Sequence, residues 1–373
     1  MNNKNEVEIP TELLPKDGRF GSGPSKVRPK AVEDLNKVSR SFLGTSHRRP
    51  GVKDVVGQIR SGLGQLLNLP NDYEIILGNG GASLIWDAAV FDLIESKSQH
   101  LSFGEFSSKF AKIVKDCPHL KDPQIIASDP GSHPQAVVAD DVDLYAFTQN
   151  ETSTGVCMQI QRPEATDALV VVDATSAAGG MMVDPSQFDL YYFSPQKCFG
   201  SDGGLWLGAA SPRAINRIEE LSSKRWVPPM LDLKMALDNS RLNQTYNTPA
   251  LATLFLLNDQ IQWMLKNGGL SWAAKRSQKS SNIIYDWAES QNFASPFVQD
   301  KDKRSPVVAT IDFNDEISAS DVSKILRANG ILDTESYRKL GRNQIRIATF
   351  PTTDPEDIEA LTACIDYVVS AIS

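Results

Sequence analysis

The stretch that decides the fold is Asp189-Leu-Tyr-Tyr-Phe-Ser-Pro-Gln-Lys197-Cys-Phe-Gly200, in the middle of the chain. Its apolar run, residues 190–193, predicts a buried strand that ends at a turn. Lys197 follows that turn, and glycines separate it from a second apolar run that begins at Leu205. A lysine enclosed by aromatic residues and glycines loses hydration, which disfavours its ammonium form and makes its amine nucleophilic. The ordinary alternative is a solvated loop lysine, so features elsewhere in the chain have to decide.

A second buried strand is indicated by Leu169-Val-Val-Val-Asp173, since consecutive branched apolar residues are typical of a strand covered on both faces. Asp173 then lies at the carboxyl end of a strand, where open α/β sheets bind ligands. Lys197 and Asp173 together are the pair that pyridoxal phosphate requires. The amine joins the cofactor's aldehyde, and the carboxylate keeps its ring nitrogen protonated. Taken alone, Asp173 before Thr-Ser would equally suit a helix cap.

A glycine turn follows a third strand-like run in Tyr73-Glu-Ile-Ile-Leu-Gly78-Asn-Gly-Gly81-Ala-Ser83. Apolar positions at helical spacing come next, so the pattern predicts a strand, a turn and a helix. Free backbone amides at the start of such a helix can bind a phosphate group. The spacing matches neither GxGxxG nor a P-loop, and a tight turn without a ligand would have the same pattern.

Composition and charge argue against several classes of function. The 373 residues are enough for two domains, and the net charge of −8 disfavours nucleic-acid and anionic-membrane partners. The four cysteines lack CxxC spacing, which fits a reducing cytoplasm, and the four dispersed histidines predict no metal site. Residues 1–16 lack the apolar core of a signal peptide, and we expect a loose arm there. No run reaches the ~20 apolar residues of a membrane span.

Two further segments predict binding sites for anions. Gly44-Thr-Ser-His47-Arg48-Arg49-Pro-Gly51 concentrates positive charge in a loop of an acidic protein, and the planar fork of arginine suits phosphate and carboxylate. A solvated run of charges is the alternative. Arg346 interrupts the otherwise apolar strand predicted at residues 344–349, so its charge needs an anionic partner, either a ligand or a structural ion pair.

In their order along the chain, these pieces resemble the phosphoserine aminotransferase family, which belongs to the class-V, fold-type I pyridoxal-phosphate aminotransferases. The matching segments are Phe20-Gly-Ser-Gly-Pro24, Ser46-His-Arg48, Gly78-Asn-Gly-Gly81, Asn150-Glu-Thr152, Asp173, Gln196-Lys197, Asn247-Thr-Pro249 and Arg346. The resemblance implies an α/β fold. We expect an arm at residues 1–17, a large domain with a mainly parallel central sheet at residues 18–260, and a smaller C-terminal α+β domain at residues 261–373.

The resemblance also implies roles for individual residues. Lys197 and Asp173 would be catalytic. The cofactor would contact Gly81, Ala82, Ser83, Phe106, Thr152, Asp173, Thr175, Gln196, Lys197, Asn247 and Thr248. Of these, Asn247 and Thr248 would reach the cofactor phosphate of the neighbouring subunit in a homodimer. The substrate would contact His47, Arg48, Arg49 and Arg346, and no metal is implied.

The sequence departs from the family pattern at two of these positions. Phe106 stands where the family commonly has tryptophan, although a phenyl ring can still stack on the cofactor ring. Ala82 stands where many relatives carry an arginine that reaches the substrate phosphate. Either Arg49, Arg338 or Arg342 replaces that arginine, or the substrate is different.

The implied reaction is the transfer of the amino group of glutamate to 3-phosphohydroxypyruvate, which gives O-phosphoserine and 2-oxoglutarate in serine biosynthesis. Use of phosphohydroxythreonine, in pyridoxine biosynthesis, is left open. Two alternatives stand beside this interpretation: another class-V aminotransferase, such as the alanine–glyoxylate type, and a cofactor-free binding protein with the same fold. A cysteine desulfurase is disfavoured because Cys364 falls in the pattern of a buried terminal helix.

Overall fold

The computed structural model describes residues 7–164 and 167–372 of the chain. Nine strands precede residue 211: β1 (Glu74–Asn79), β2 (Ser98–Ser102), β3 (Gln124–Ala127), β4 (Leu144–Thr148), β5 (Asn150–Glu151), β6 (Val156–Cys157), β7 (Leu169–Asp173), β8 (Leu190–Phe193) and β9 (Leu205–Ala210) in the described part. Seven of them form one sheet in the order β1-β9-β8-β7-β4-β2-β3, while β5 and β6 pair with each other. The central strands are parallel, and only β9 runs antiparallel to its neighbours β8 and β1. The predicted mainly parallel sheet is confirmed.

Helices cover both faces of this sheet, which explains why its central strands are continuous apolar runs. The helices of this region are α1 (Pro29–Phe42), α2 (Pro50–Leu66), α3 (Leu84–Asp92), α4 (Glu105–Asp116), α5 (Pro212–Lys224), α6 (Leu233–Arg241) and α7 (Leu251–Lys266). On β7, Val170 and Val172 belong to the core that contains residues of α2 and α7. Val171, between them, belongs to the opposite core, which contains residues of α3 and α5. Each face of one strand therefore has its own hydrophobic core.

A second, smaller sheet is formed by the C-terminal part of the chain. Its elements are α8 (Gly269–Ser290), β10 (Ala294–Pro296), β11 (Val308–Phe313), α9 (Ala319–Ala328), β12 (Gln344–Ala348) and α10 (Pro355–Ile372). The strands are antiparallel in the order β10-β11-β12, and they share a separate core with α8, α9 and α10. The sequence predicts one long helical region over residues 250–290. Gly268 interrupts it, because its φ of +116° ends α7 before α8 begins.

Two expectations about local structure are wrong. The order Asn247-Thr-Pro249 ahead of an apolar run predicts a helix cap, but Asn247 and Thr248 do not cap α7, because Ala250 is its N-cap residue. The part of the N-terminal arm that is described is not loose. The amide of Ile9 donates to Asn329 Oδ1 at 2.9 Å, and the amide of Lys16 donates to Asp357 Oδ1 at 2.9 Å. The segment is ordered because Ile9 is buried in the C-terminal core; residues 1–6 of the expected arm lie outside the described residues.

Candidate active site

A cavity of about 190 Å³ lies where β4 and β7 end and the chain turns after β8. It contains nine of the residues that the sequence assigned to a site: Gly81, Ala82, Ser83, Phe106, Thr152, Asp173, Thr175, Gln196 and Lys197. They come from five separate segments of the chain, and the parallel strands bring them together because their carboxyl ends share one edge of the sheet. Trp86, Thr148, Asn150 and Ser176 complete the lining without having been assigned a role from the sequence.

Lys197 is held in this cavity by a loop near the N-terminus. Its Nζ donates a hydrogen bond to the Ser22 carbonyl oxygen at 2.5 Å. Ser25 fixes the neighbouring backbone, since its amide donates to the Gln196 carbonyl at 2.8 Å and its hydroxyl to the Lys197 carbonyl at 2.6 Å. Burial, reinforced by the positive charge of Arg346, lowers the pKa of Lys197 to about 8. An amine with this pKa is nucleophilic close to neutral pH.

Asp173 is buried at the end of β7, and its Oδ1 accepts a hydrogen bond from the Thr175 amide at 2.9 Å. Residues 175–180 form turns and not a helix, so the helix-cap alternative is wrong. Burial raises the pKa of the Asp173 carboxyl, while hydrogen bonds from Thr175, Trp86 and Tyr192 oppose that rise. Trp86 Nε1 also donates to the Tyr192 hydroxyl at 2.8 Å. These donors favour a carboxylate at the wall of the cavity.

The glycine turn before α3 presents free amides to the cavity. Gly80 adopts φ +105°, and its amide donates to the Gly204 carbonyl at 3.1 Å. Within residues 7–164 and 167–372, the amides of Ala82 and Ser83 donate to no protein acceptor, and the Ser83 side chain caps nothing. Unpaired amides at a helix start bind phosphate well because the helix dipole places positive charge there.

The donor set of the cavity fits pyridoxal phosphate. Thr175 Oγ1 and Gln196 Oε1 are buried and have no hydrogen-bond partner among the residues that the structure describes, so they can bind a polar ligand. The Thr152 hydroxyl donates to Ser176 Oγ at 2.8 Å and therefore faces the same space. An amine, a carboxylate, polar side chains and free amides at a helix start meet the demands of the cofactor's aldehyde, ring nitrogen, ring oxygen and phosphate.

Arg346, on β12, lies beside the cavity. Its Nη1 donates to the Thr152 carbonyl at 3.1 Å, and its buried Nε has no partner in the described part of the chain. Within the described ranges Arg346 forms no ion pair, so the structural-pair alternative has no support. The Tyr337 ring lies 5.3 Å from the guanidinium and 6.2 Å from the Phe106 ring. Tyr337 had no signal in the sequence, because a loop tyrosine shows no periodicity.

A second cluster of predicted site residues lies around Asn247 and Thr248, outside the lining of that cavity. His47 Nδ1 lies 3.3 Å from the Thr248 hydroxyl, and Arg48 Nη1 donates to Gln244 Oε1 at 2.7 Å. The Asn79 side chain donates to the carbonyls of Asn247 and Thr248 at 3.2 and 3.1 Å. The residues of this cluster that the sequence assigned to a site are His47, Arg48, Arg49, Asn247 and Thr248, and none of them lines the Lys197 cavity.

Three arginines were candidates to take the role of the family arginine whose position Ala82 occupies. Arg342 forms an ion pair with Asp312 and stacks over Phe297 at 4.6 Å, so its charge is already neutralised. Arg49 and Arg338 are exposed and have no side-chain partner among the described residues. Arg49 and Arg338 therefore remain the candidates to bind the substrate phosphate in place of the missing arginine.

Two kinds of feature are absent from residues 7–164 and 167–372. They contain no group of three or more histidine, cysteine, aspartate or glutamate residues that could hold a metal ion. None of their helices is long and apolar enough to cross a membrane.

Comparison with known proteins accounts for this arrangement. The family model for class-V aminotransferases matches residues 20–334. Phosphoserine aminotransferase from Rhodococcus jostii is 55% identical over 366 residues, 98% of each chain, and a putative phosphoserine aminotransferase from Mycobacterium leprae is 54% identical with the same coverage. A crystal structure of a Cytophaga hutchinsonii phosphoserine aminotransferase superposes with a TM-score of 0.87 at 26% identity, covering 94% of this chain and 99% of that one. This chain belongs to the class-V aminotransferase family and is a pyridoxal-phosphate-dependent transaminase.

Proposed function

We propose that this enzyme transfers the amino group of glutamate to 3-phosphohydroxypyruvate and thereby makes O-phosphoserine for serine biosynthesis. The observation that carries the proposal is the single cavity that contains Lys197, Asp173 and the free amides at the start of α3. The relatives at 53–55% identity are named phosphoserine aminotransferases or putative ones, which supports the same substrate here.

Pyridoxal phosphate, when bound, supplies an aldehyde carbon and an electron-accepting ring. We assign its phosphate to the amides of Gly81, Ala82 and Ser83, together with the partner's Asn247 and Thr248. The Phe106 ring would stack on its face. Thr152 would donate to its ring oxygen, with Thr175 and Gln196 completing the polar lining. The amides of Ala82 and Ser83 would donate to the phosphate, and the Phe106 ring would offer an aromatic face. The Thr152 hydroxyl would turn from Ser176 Oγ toward the ring oxygen.

Lys197 and Asp173 would divide the chemistry between them. The Lys197 amine would take the proton from the substrate Cα and deliver it to the carbon that was the cofactor's aldehyde carbon, a role for which a pKa of about 8 is well matched. Asp173 holds a proton at the ring nitrogen through its negative charge. Its burial strengthens that interaction because the surroundings screen charge poorly.

Positively charged groups would hold the two ends of the substrate. Arg346 has an unpaired Nε next to the cavity, so it would take the substrate carboxylate. His47, Arg48 and Arg49 would take the distal phosphate, or the side-chain carboxylate of glutamate. Binding both ends fixes which bond at Cα is aligned for cleavage, which is an orientation effect.

We infer that the protein is a homodimer in which the loop of His47, Arg48 and Arg49 acts in the cavity of the partner subunit. This idea is supported by the lining of the cavity within one chain, which does not include His47, Arg48, Asn247 or Thr248. The segment before Asn247 also exposes large apolar side chains, which an interface would cover. They are Trp226 (80% exposed), Met230, Leu242 and Tyr246.

Mixing two inactive variants tests the shared site. Lys197→Ala lacks the amine, and the double variant Asn247→Ala/Thr248→Ala lacks the contributed phosphate donors. In a mixed dimer, one cavity receives intact parts from both chains, so activity should recover to about a quarter of the wild-type value. If mixtures refolded together stay inactive, the sites are not shared between subunits.

We also propose the domain division into residues 1–17, 18–260 and 261–373, and a cytoplasmic location. Separate hydrophobic cores for the large and small sheets support the division. The four cysteines, Cys117, Cys157, Cys198 and Cys364, are free thiols, which a reducing compartment preserves. Burial raises the pKa of Cys198 beyond its usual range, so this neighbour of Lys197 fills space rather than reacts.

A panel of keto acids assayed with glutamate tests the substrate. We expect the highest kcat/KM with 3-phosphohydroxypyruvate. The panel also includes the keto acid that gives phosphohydroxythreonine. In a separate assay, glyoxylate is the acceptor and alanine replaces glutamate as the donor. Arg48→Ala should raise the KM for phosphohydroxypyruvate about 10- to 100-fold, because a charge-assisted contact is lost. Arg40→Ala removes an exposed arginine from α1 and is the matched control. Unchanged activity of Arg48→Ala on phosphohydroxypyruvate would contradict the assignment.

A further inference from the structure

Glu151 carries a buried carboxylate that the proposed mechanism does not use. The residue is 0% exposed, lies on β5 and directly precedes Thr152. Burial raises the pKa of its carboxyl, and hydrogen bonds from Ser107 and Ser153 oppose that rise. Because a buried carboxylate destabilises the fold unless it is hydrogen-bonded, the partners of Glu151 indicate its purpose.

Five donors converge on the two carboxylate oxygens. Oε2 accepts from the amides of Phe106 and Ser107, at 3.1 and 3.0 Å, and from the Ser107 hydroxyl at 3.0 Å. Oε1 accepts from the Ser153 amide at 3.2 Å and the Ser153 hydroxyl at 2.7 Å. The amides can only donate, and two of them belong to the first turn of α4, where the helix dipole favours negative charge. These donors therefore favour the ionised carboxylate and oppose the effect of burial.

Glu151 takes the place of a helix cap that α4 lacks. Gly104 occupies the N-cap position of α4 and has no side chain that could accept hydrogen bonds from the helix. A methyl group on Gly104 would lie 2.3 Å from Glu151 Cγ, 2.4 Å from Glu151 Cδ and 2.7 Å from Ser153 Oγ. The backbone of Gly104 is extended, so this position needs glycine for space alone.

Both segments that this carboxylate holds reach the cofactor cavity. Its bond to the Phe106 amide fixes the residue whose ring lines the cavity. Its bonds to Ser153 fix the residue that follows Thr152, another member of the lining. One buried charge thus connects the start of α4 to the turn after β5.

We propose that Glu151 is a positioning residue that holds the Phe106 ring and the Thr152 hydroxyl at the two places where they meet the cofactor ring. The inference rests on the proposed roles of Phe106 and Thr152. It predicts that loss of the carboxylate loosens the bound cofactor without removing any group that touches it. No other residue within the described ranges contacts both segments through a charged side chain.

Glu151→Gln tests this directly. Glutamine keeps the shape, but its NH₂ group faces donors, so at least one of the two sets of hydrogen bonds is lost. We expect the dissociation constant for pyridoxal phosphate, from absorbance titration of the cofactor-free protein, to rise about tenfold. The visible circular dichroism per bound cofactor should also fall, because the ring is no longer held in one orientation. Glu105→Gln removes a negative charge from the same helix start, where it pairs with Lys339 and Lys109 at the surface, and should change neither quantity.

Two further variants keep the test decisive if Glu151→Gln does not fold. Gly104→Ala displaces Glu151 while leaving its charge. Ser153→Ala removes the hydroxyl that donates to Glu151 Oε1 and accepts from the Glu105 amide. Both should weaken the visible circular dichroism in the folded protein. Wild-type affinity and dichroism in the folded Glu151→Gln protein, or in both of the other variants, would overturn the proposal. Since both measurements use the cofactor alone, they remain valid even if phosphohydroxypyruvate proves not to be the substrate.

Discussion

The amine nitrogen of Lys197 donates to the carbonyl oxygen of Ser22 at 2.5 Å. This bond joins a loop near the N-terminus to the residue on which the proposed chemistry depends. Gly23, the next residue of the loop, has φ +151°, and a Cβ there would lie 1.8 Å from Lys197 Nζ and 2.8 Å from Cε. The Lys197 amine can therefore take this position only because Gly23 has no side chain.

Gly23→Ala should lower kcat about a hundredfold, because the new methyl group displaces the amine by an ångström or more. Steady-state kinetics and the visible absorbance of the bound cofactor measure the effect. Gly330→Ala is the control, since Gly330 also has a positive φ, +82°, but no atom lies within 4 Å of its added Cβ. The control should lose stability without losing activity. Equal kcat in the two variants would contradict this interpretation of the loop.

The low pKa of Lys197 should appear in its reactivity. In the cofactor-free protein, acylation of Lys197 by a small reagent should follow a pH midpoint of about 8, because burial and Arg346 disfavour the ammonium. Mass spectrometry of the modified peptides gives the midpoint. Lys53 provides a lysine within the same protein for comparison. Arg346→Gln should raise the Lys197 midpoint, and a midpoint that stays unchanged would show that Arg346 does not act on the amine.

The same pKa predicts how the stability of the cofactor-free protein depends on pH. The pKa of Lys197 is about 8 in the folded state against 10.5 when unperturbed, so the unfolded state binds more protons between these values. The free energy of unfolding should therefore rise from pH 8 to pH 10.5 relative to a Lys197→Met variant. Urea unfolding of both proteins at several pH values measures the difference. A difference that falls over this range would have the wrong sign for a buried amine.

Removal of the Asp173 charge should slow the reaction and leave the fold intact. Asp173→Asn keeps the shape and can still accept from the Thr175 amide, but it no longer holds a proton at the ring nitrogen. We expect kcat to fall roughly a thousandfold, with the melting temperature little changed. Asp202→Asn, at an exposed position in the loop that contains Lys197, is the matched control and should keep full activity. A loss of similar size in both variants would indicate a general effect of charge.

Two glycines of α2 should respond oppositely to the same substitution. A Cβ on Gly62 would lie 2.7 Å from Ile261 Cγ2 on α7, so Gly62→Ala should destabilise the protein by about 1–3 kcal/mol. Gly64 has no atom within 4 Å of an added Cβ, and Gly64→Ala should stabilise the helix by up to about 1 kcal/mol. Chemical denaturation of the two variants gives both values. If Gly64→Ala destabilised the protein, the space around Gly64 would not be what decides the effect of this substitution.

Much of the fold could be predicted because its signals are local. The branched run before Asp173 and the aromatic run before Lys197 became β7 and β8, and their shared sheet edge follows from parallel pairing. Contacts between distant segments gave no such signal. The bond from Lys197 to Ser22 spans 175 residues, and nothing in either segment encodes the other. Glu151 was visible only as the middle of a matching motif, since three of its five donors come from a helix about 44 residues away.

The cap predicted at Asn247 and Thr248 failed for a related reason. Both residues have side chains that favour helix starts, but the Asn79 side chain bonds to their backbone carbonyls and holds them outside α7. A local propensity was overridden by a tertiary contact. The division of the candidate site into two clusters within one chain was equally invisible to the sequence, because motif order carries no information about which subunit's cavity a loop enters.

The antiparallel direction of β9 also limits how far the loop that contains Lys197 can move. Because β9 runs back beside β8, residues 194–204 are the end of a hairpin, and both of its stems are paired within the large sheet. The amide of Gly80 donates to Gly204 at the far stem, while Ser25 bonds to the backbone of Gln196 and Lys197. A hairpin end held in this way cannot swing outward as a flap. The Lys197 amine therefore lies on a fixed wall of the cavity.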